Sequence, residues 1–253
     1  MVERNLDGKR IFITGAASGM GRALAKIVVE QGASVALFDI NAAGLKETAA
    51  SVGDAPAVAM ITADLTEWAA VERGVAQAAS ELGGVDAVCN VAGWDEPGRF
   101  WEQPLDFWEK IVAINLWSTL YMCRATVPLL IAQESGTIVN VASDAGRVGS
   151  KGETVYAAAK GGVIALTKSL AREVAPYSVT VNCVCPGPTL TPLLQAEMES
   201  TPKLIDKLVR AIPLRRVADP SEPAGVVAFL ASSAASYMTG QTVSVSGGLT
   251  MAG

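Results

Sequence analysis

Tyr156 and Lys160 stand at positions i and i+4, which in a helix puts them on one face, a turn apart. A phenol beside an ammonium is a pair able to move protons. A free tyrosine has a pKa of about 10, so a base working at pH 7 needs a shift of roughly 3 units, about 4 kcal/mol. One ammonium about 4 Å away at an effective dielectric of ~20 supplies energy of that order. The chain contains 0 histidines, which removes Ser-His-Asp and Cys-His catalysis and the common histidine zinc sites. Acid–base work near neutral pH therefore falls to tyrosine, lysine, cysteine or a carboxylate. Chance on a helix surface also produces such a pair. Its weight comes from Ser143, which ends the strand-like run TIVNVAS and so places a hydroxyl at the carboxyl edge of a sheet, where α/β folds bind ligands.

A second cluster prepares an anion site. After the apolar run RIFIT come Gly15, Ser18, Gly19, Met20 and Gly21, and then a helical pattern. A glycine-rich turn entering a helix leaves N–H groups and the positive end of the helix dipole pointing at a phosphate. The spacing G-x-x-x-G-x-G departs from G-x-G-x-x-G, and an ordinary glycine-rich turn shares it. Asp39, followed by Ile40, closes the next run, SVALFD, where an acidic residue would grip the ribose hydroxyls of a dinucleotide. A 2′-phosphate there would meet a carboxylate, and two like charges ~4 Å apart at an effective dielectric of ~20 repel by about 4 kcal/mol. No Arg or Lys occupies Ser18, Ile40 or Asn41 to offset this, so the cofactor expected is NAD. Its oxidised ring would add to the pull of Lys160 on the phenol.

These residues need a scaffold, and the pattern describes one. The runs RIFIT, SVALFD, VAMITAD, VDAVCN, TIVNVAS, VTVNCV and TVSVS alternate with helical segments near 19–32, 42–51, 67–81, 104–133, 153–174 and 220–232. The fold class expected is α/β, a single doubly wound parallel sheet with helices on both faces. No linker or repeat divides the 253 residues, so one domain is expected over 1–253. The Pro-rich, amphipathic stretch at about 187–219 breaks the rhythm and reads as a substrate loop or lid.

With a net charge of −5, nucleic acid and anionic membranes are poor partners. No signal peptide or span-length apolar run is visible. The four cysteines form no C-x-x-C and read as reduced core thiols, so the expected location is cytoplasmic. No metal-ligand cluster is evident.

Together the run Thr14–Gly21, Asp64-Leu65, Asn90-Val91-Ala92-Gly93, Asn115, Ser143, Tyr156-x-x-x-Lys160 and Pro186-Gly187 resemble the short-chain dehydrogenase/reductases, from about residue 8 to the closing Gly247-Gly248. Many members carry a second Asn where this chain has Val91. The resemblance implies Tyr156 as general acid/base and Lys160 as the holder of the nicotinamide ribose. Ser143 would bond the substrate oxygen, and Asn115 would order a water that passes protons on. It implies a dinucleotide site of Gly15, Ser18, Gly19, Met20, Gly21, Asp39, Ile40, Asp64, Leu65, Asn90, Ala92, Gly93, Tyr156, Lys160, Pro186, Gly187 and Thr189, with Asp64 at the adenine and Thr189 at the carboxamide. Asn90 as a strand-end cap, Asp64 as a turn former and Asn115 as a satisfied helix polar residue are the structural alternatives.

A narrower likeness, carried by Trp94-Asp95 and the run Ser143–Ser150 with Gly152-Glu153, is to the 2-hydroxycyclohexanecarbonyl-CoA dehydrogenase type. It implies an alicyclic β-hydroxyacyl-CoA substrate, with Trp94 and Trp101 lining an apolar pocket beside Ser143 and Tyr156. Arg147 or Lys151 would then meet an anionic tail or remain solvated loop charges.

The apolar 104–133 segment and the small residues Ala157, Ala158, Gly161 and Gly162 point to helix contacts between subunits, hence a homotetramer. The activity expected is hydride transfer between NAD and a secondary alcohol or ketone. A 3-oxoacyl (carrier-protein or CoA) reductase and a non-catalytic dinucleotide-binding module are the competing readings.

Overall fold

The uninterrupted apolar runs are realised as a sheet with two buried faces. In β1 (Arg10–Thr14), Ile11 and Ile13 point to one face and Phe12 to the other; in β2 (Ser34–Asp39), Val35 and Leu37 oppose Ala36 and Phe38. The computed structural model describes residues 5–200 and 204–252. Residues 1–4 and 253 of the expected domain, and 201–203 of the expected lid, lie outside the described residues. The remaining strands are β3 (Val58–Thr62), β4 (Ala87–Asn90), β5 (Gly136–Val141), β6 (Val179–Pro186) and β7 (Thr242–Val245). Their order is β3-β2-β1-β4-β5-β6-β7, with every neighbouring pair parallel. Chain direction across the sheet reverses between β1 and β4, so a crevice opens at their carboxyl ends.

The helices are α1 (Gly19–Glu30), α2 (Ala42–Ser51), α3 (Trp68–Leu82), α4 (Leu105–Val112), α5 (Ser118–Ala132), α6 (Ala145–Val148), α7 (Thr154–Val174), α8 (Pro192–Ser200), α9 (Leu204–Ala211) and α10 (Ser221–Ala231). Leu24 and Val28 of α1 and Val227 and Leu230 of α10 share one core with Ile11 and Ile13. Val71 of α3, Met122 of α5 and Val174 of α7 share the other with Phe12 and Phe38. Among the described residues, no helix is long and apolar enough to cross a membrane. The cysteines are free and buried, and burial pushes the Cys89 and Cys123 thiols up to about 12.

Three expectations change in detail. The single helix over 104–133 is interrupted by a π-helical turn at Ala113–Trp117. The cause is Asn115, whose Nδ2 donates to Ile111 O at 2.9 Å, the carbonyl that an α-helical N–H at 115 would use. The 187–219 segment carries α8 and α9, and its base is closed by a bridge between Thr189 and Ala218. Gly161 and Gly162 serve contacts within the chain. A Cβ on Gly146 of α6 would lie 2.7 Å from Gly161 N, and one on Gly162 would lie 3.2 Å from Leu116 side-chain carbons.

Candidate active site

The glycine-rich turn is built by close backbone approach. Thr14 Oγ1 accepts the N–H groups of Val91 (2.9 Å) and Ala92 (3.0 Å), tying the loop after β4 to the end of β1. Gly15 has φ +66°, and a Cβ there would stand 2.9 Å from Ala92 Cα. A Cβ on Gly21 would stand 2.1 Å from Gly15 O, so α1 starts directly against the turn. Ser18 precedes α1 without a side-chain cap bond, so its hydroxyl does not occupy the first-turn N–H groups that suit an anion. Gly187 follows β6 with its N–H on Val245 O at 3.0 Å. Past it, Thr189 Oγ1 donates to Gly187 O at 3.0 Å. Thr191, which the sequence reading did not single out, lies 3.2 Å from where a Cβ on Gly19 would be. The Pro186–Thr191 turn thus faces the glycine turn across the crevice.

Asp39 holds this edge in place. Its Oδ2 accepts Ala17 N–H at 3.0 Å and its Oδ1 accepts Asn41 N–H at 2.9 Å, and the next residue, Ile40, is 68% exposed. Arg22, on the first turn of α1, is committed elsewhere: to Thr48 Oγ1 (2.9 Å), Ala17 O and Glu47 Oε2 (2.8 Å). Asp64 Oδ1 accepts from Thr66 N–H and Oγ1 (2.9 and 2.7 Å), a turn closure, while Leu65 is buried. Asn90 points inward. Its Nδ2 donates to Asn140 Oδ1 at 2.9 Å, Asn140 donates to Thr167 Oγ1 at 2.9 Å, and Thr167 donates to Val163 O. This buried chain joins β4, β5 and α7. Asn140 and Thr167 are readable in the sequence only as polar interruptions of apolar runs.

Ser143, Tyr156 and Lys160 converge. Ser143 Oγ accepts Ala145 N–H at 3.1 Å, and the Ser143 side chain acts on the Tyr156 phenol, pulling its pKa down. Lys160 is buried, donates to Val141 O at 3.0 Å and places Nζ 5.6 Å from the centre of the Tyr156 ring. Asn115 clamps the peptide of Trp94, accepting its N–H at 3.1 Å and donating to its carbonyl at 2.7 Å.

The electrostatics correct the simple expectation of a phenol acidified by its lysine. Tyr156 is half-buried, and its pKa is pushed upward by burial and then by the charges of Glu153 and Asp95; among these influences only the Ser143 side chain pulls it down. Lys160 is itself brought down to about 8, chiefly by burial, against the upward pull of Cys183, Cys185 and Asp95. An ammonium that pays its own desolvation has less to give a neighbour.

The putting-together of the substrate side is only partly as expected. Trp94 faces Phe107 (5.8 Å between centroids), with Lys110 Nζ 3.8 Å above its ring. Trp101 is 77% exposed, and Lys151 is exposed. Arg147 is engaged within the chain. Its guanidinium donates to Ser244 Oγ at 2.7 Å and to Ala252 O, and Ser244 in turn donates to Asp144. The charge expected to meet substrate instead fastens the segment after β7.

A family model described as enoyl-(acyl carrier protein) reductase matches residues 15–250. Nodulation protein G of Rhizobium sp. (strain N33) is 37% identical over 250 residues, covering 97% of this chain and 98% of that protein. The structure of a short-chain dehydrogenase/reductase (glucose/ribitol dehydrogenase) from Brucella melitensis superposes with a TM-score of 0.92 at 35% identity, covering 99% of this chain and 100% of that one. The chain belongs to the short-chain dehydrogenase/reductase family. It is therefore an oxidoreductase of a family that binds a nicotinamide dinucleotide and acts on small molecules. A 3-oxoacyl-[acyl-carrier protein] reductase with bound NAD from Brucella melitensis also matches, at TM-score 0.90 and 33% identity over 99% of this chain and 94% of that one. The crevice fits the cofactor of this family: positions 15 and 21 admit no side chain, and a phosphate needs that close approach.

Proposed function

We propose that this short-chain dehydrogenase/reductase uses NAD to interconvert a secondary alcohol and its ketone, on an alicyclic or β-hydroxyacyl thioester substrate. The observation that carries the reading is the Lys160 ammonium 5.6 Å from the centre of the Tyr156 ring, with the Ser143 side chain acting on the phenol. In this reading Gly15, Ser18, Gly19, Met20 and Gly21 cradle the pyrophosphate, Asp39 and Ile40 receive the adenosine ribose, and Asp64 and Leu65 flank the adenine. Ala92 and Gly93 back the nicotinamide ribose with Lys160, while Pro186, Gly187 and Thr189 face the carboxamide. When bound, the dinucleotide supplies or accepts the hydride. Tyr156 gives its proton to the forming alkoxide or takes it from the alcohol, and Ser143 fixes the substrate oxygen. Asn115 holds the Trp94 loop and supports the proton path beside Lys160.

Asp39, together with the commitment of Arg22 to Thr48, Ala17 and Glu47, supports NAD over NADP. Trp94 and Phe107 form the apolar wall for a ring, and Lys110 is the cation beside it. The 187–219 segment serves as the lid of a single cytoplasmic domain that assembles as a homotetramer. Tyr156→Phe should lower turnover by about 10²–10⁴-fold, the range for losing a positioned acid/base, while the melting temperature and NADH fluorescence binding stay near wild type. Unchanged turnover on a confirmed substrate defeats this mechanism.

A second reading is reduction of a 3-oxoacyl thioester. The similarity to a 3-oxoacyl-carrier-protein reductase holding NAD favours it, because that pairing removes the objection that such reductases conflict with Asp39. Parallel assays with 3-oxoacyl and alicyclic thioesters separate the two. A purely binding role is disfavoured by the intact Ser143, Tyr156 and Lys160.

A further inference from the structure

The last strand of the sheet reaches back to the turn that carries Ser143. Asp144, the next residue, is 5% exposed. Its Oδ1 accepts the hydroxyl of Ser244 in β7, 100 positions away. Its Oδ2 is buried with no hydrogen-bond partner among the described residues. Ser244 Oγ accepts in turn from Arg147 Nη1 at 2.7 Å, and Arg147 Nη2 donates to Ala252 O at 2.5 Å. One guanidinium thus brackets the chain from Ser244 to Ala252. Between these points the segment folds on Ser246, whose carbonyl accepts Leu249 N–H (3.1 Å) and whose hydroxyl accepts Thr250 N–H (3.2 Å). The same strand end packs on the turn after β6, where a Cβ on Gly187 would stand 2.6 Å from Ser246 Cβ.

We propose that Ser244, gripped by Arg147, is a positioning residue for Ser143: by holding the Asp144 carboxylate it fixes the turn that aims the Ser143 hydroxyl. This rests on the assignment of Ser143 to the substrate oxygen. The turn's own hydrogen bonds are local. Ser143 Oγ accepts Ala145 N–H (3.1 Å) and Ser143 O accepts Gly146 N–H (3.0 Å), while Asp144 N–H reaches Pro186 O only at 3.4 Å. Through Ser244 the turn is tied to a strand whose register is set by parallel pairing with β6, Cys185 standing opposite Ser244. A buried carboxylate needs a donor, and without the Ser244 hydroxyl this one has none among the described residues. Asp144 then turns toward water and carries Ser143 with it. The relay moves no proton in the reaction. Its part is geometric, and small displacements of a group that holds a reacting atom are costly.

The test is kcat and KM for wild type, Ser244→Ala and Ser244→Thr, each also combined with Ser143→Ala. Ser244→Ala should lower kcat by about 10- to 100-fold and leave KM for the dinucleotide within about twofold, the signature of a misplaced reacting group. Ser244→Thr keeps the hydroxyl and should recover kcat to within about threefold of wild type. Once Ser143 is replaced by alanine, adding Ser244→Ala should cost less than about twofold, because the two residues act as one unit. A merely structural role lowers kcat by the same factor with and without Ser143, and that result overturns the proposal. Asp144→Ala removes the other partner together with a buried charge. It stands in if Ser244→Ala does not fold, with the same outcomes expected.

Amide hydrogen exchange without ligand separates this from the functional reading. Ala145 N–H and Gly146 N–H report the turn directly, since both are bonded to Ser143. Their exchange should quicken about tenfold in Ser244→Ala, through local opening, and return toward the wild-type rate in Ser244→Thr. Amides of α10, which shares a core with α1, should exchange as in wild type. A wild type that turns over no alcohol or ketone sinks the functional reading and leaves the exchange rates to judge Ser244. Exchange at Ala145 and Gly146 that does not move sinks the role of Ser244.

Discussion

Asp39 does two jobs with one carboxylate, and a single substitution can divide them. Its oxygens accept Ala17 and Asn41 N–H groups, and in the NAD reading proposed above its charge opposes a 2′-phosphate. Asp39→Asn keeps an acceptor oxygen and removes the charge. The ratio of NADP to NAD turnover efficiency should rise by about 10- to 100-fold, part of the repulsion of about 4 kcal/mol being screened at an open crevice, and steady-state kinetics with both cofactors would read it. Arg147 poses the opposite case. Its hydrogen bonds to Ser244 and Ala252 make it a fastener, so Arg147→Met should destabilise by about 3 kcal/mol, the upper range for charged hydrogen bonds. Thermal melting should register that loss while KM for an acyl thioester stays put; a raised KM with unchanged melting restores Arg147 to the substrate. The types and spacing of Ser143, Tyr156 and Lys160 were legible because a period of four and a strand end fix their placement. The upward push on Tyr156 was not, because Asp95 comes from another loop and burial from the whole fold. The partners of Arg147 lie 97 and 105 positions away, beyond any local pattern.

At the scale of elements, the proposed catalytic residues depend on how α6 and α7 meet. Ser143 precedes α6, Tyr156 and Lys160 sit in α7, and the two helices touch through backbone at Gly146 and Gly161. A Cβ on Gly146 would lie 2.7 Å from Gly161 N and from Lys160 C. Gly146→Ala should therefore push the helices apart and lower both melting temperature and turnover. A drop in turnover of 10-fold or more is expected if Ser143 and Tyr156 move apart, since small misplacements of positioned groups are costly. Gly225→Ala, within α10 and with nothing within 4 Å of the added carbon, is the matched control. It should stabilise by about 1 kcal/mol, or roughly 2–4 °C for a chain of this size, and leave turnover unchanged. Strands were legible because buried parallel strands are uninterrupted apolar runs, as SVALFD shows. The π-helical turn was not, because it follows from Asn115 bonding Ile111 and the Trp94 loop. Helix α6 is a single turn between Asp144 and Gly149, too short for periodicity to reveal.

The whole molecule leaves apolar surface that its own core does not cover. Leu105 of α4, Trp117 of the π-helical turn and Leu129 of α5 are exposed, and so are Phe229 of α10, Tyr237 and Met251. The two sets belong to elements packed on opposite faces of the sheet, since α5 joins the core around Phe12 while α10 joins that around Ile11. Single exposed apolar residues are ordinary, but grouped ones mark contact surfaces. Two separate self-complementary surfaces on a chain close into a dimer of dimers. Gly161 and Gly162, which the sequence nominated for such contacts, are occupied within the chain, so the exposed bulky side chains carry the expectation in their place. Light scattering after gel filtration at micromolar concentration should give four times the chain mass. Trp117→Glu should reduce that to two by placing a charge in one contact, and Phe229→Glu should do the same through the other; combining them should give monomers. Melting temperature should fall with each step and become concentration-dependent, because assembly stabilises the folded chain by mass action. A wild-type monomer removes the tetramer, and single variants that remain tetrameric move the contacts to other surfaces.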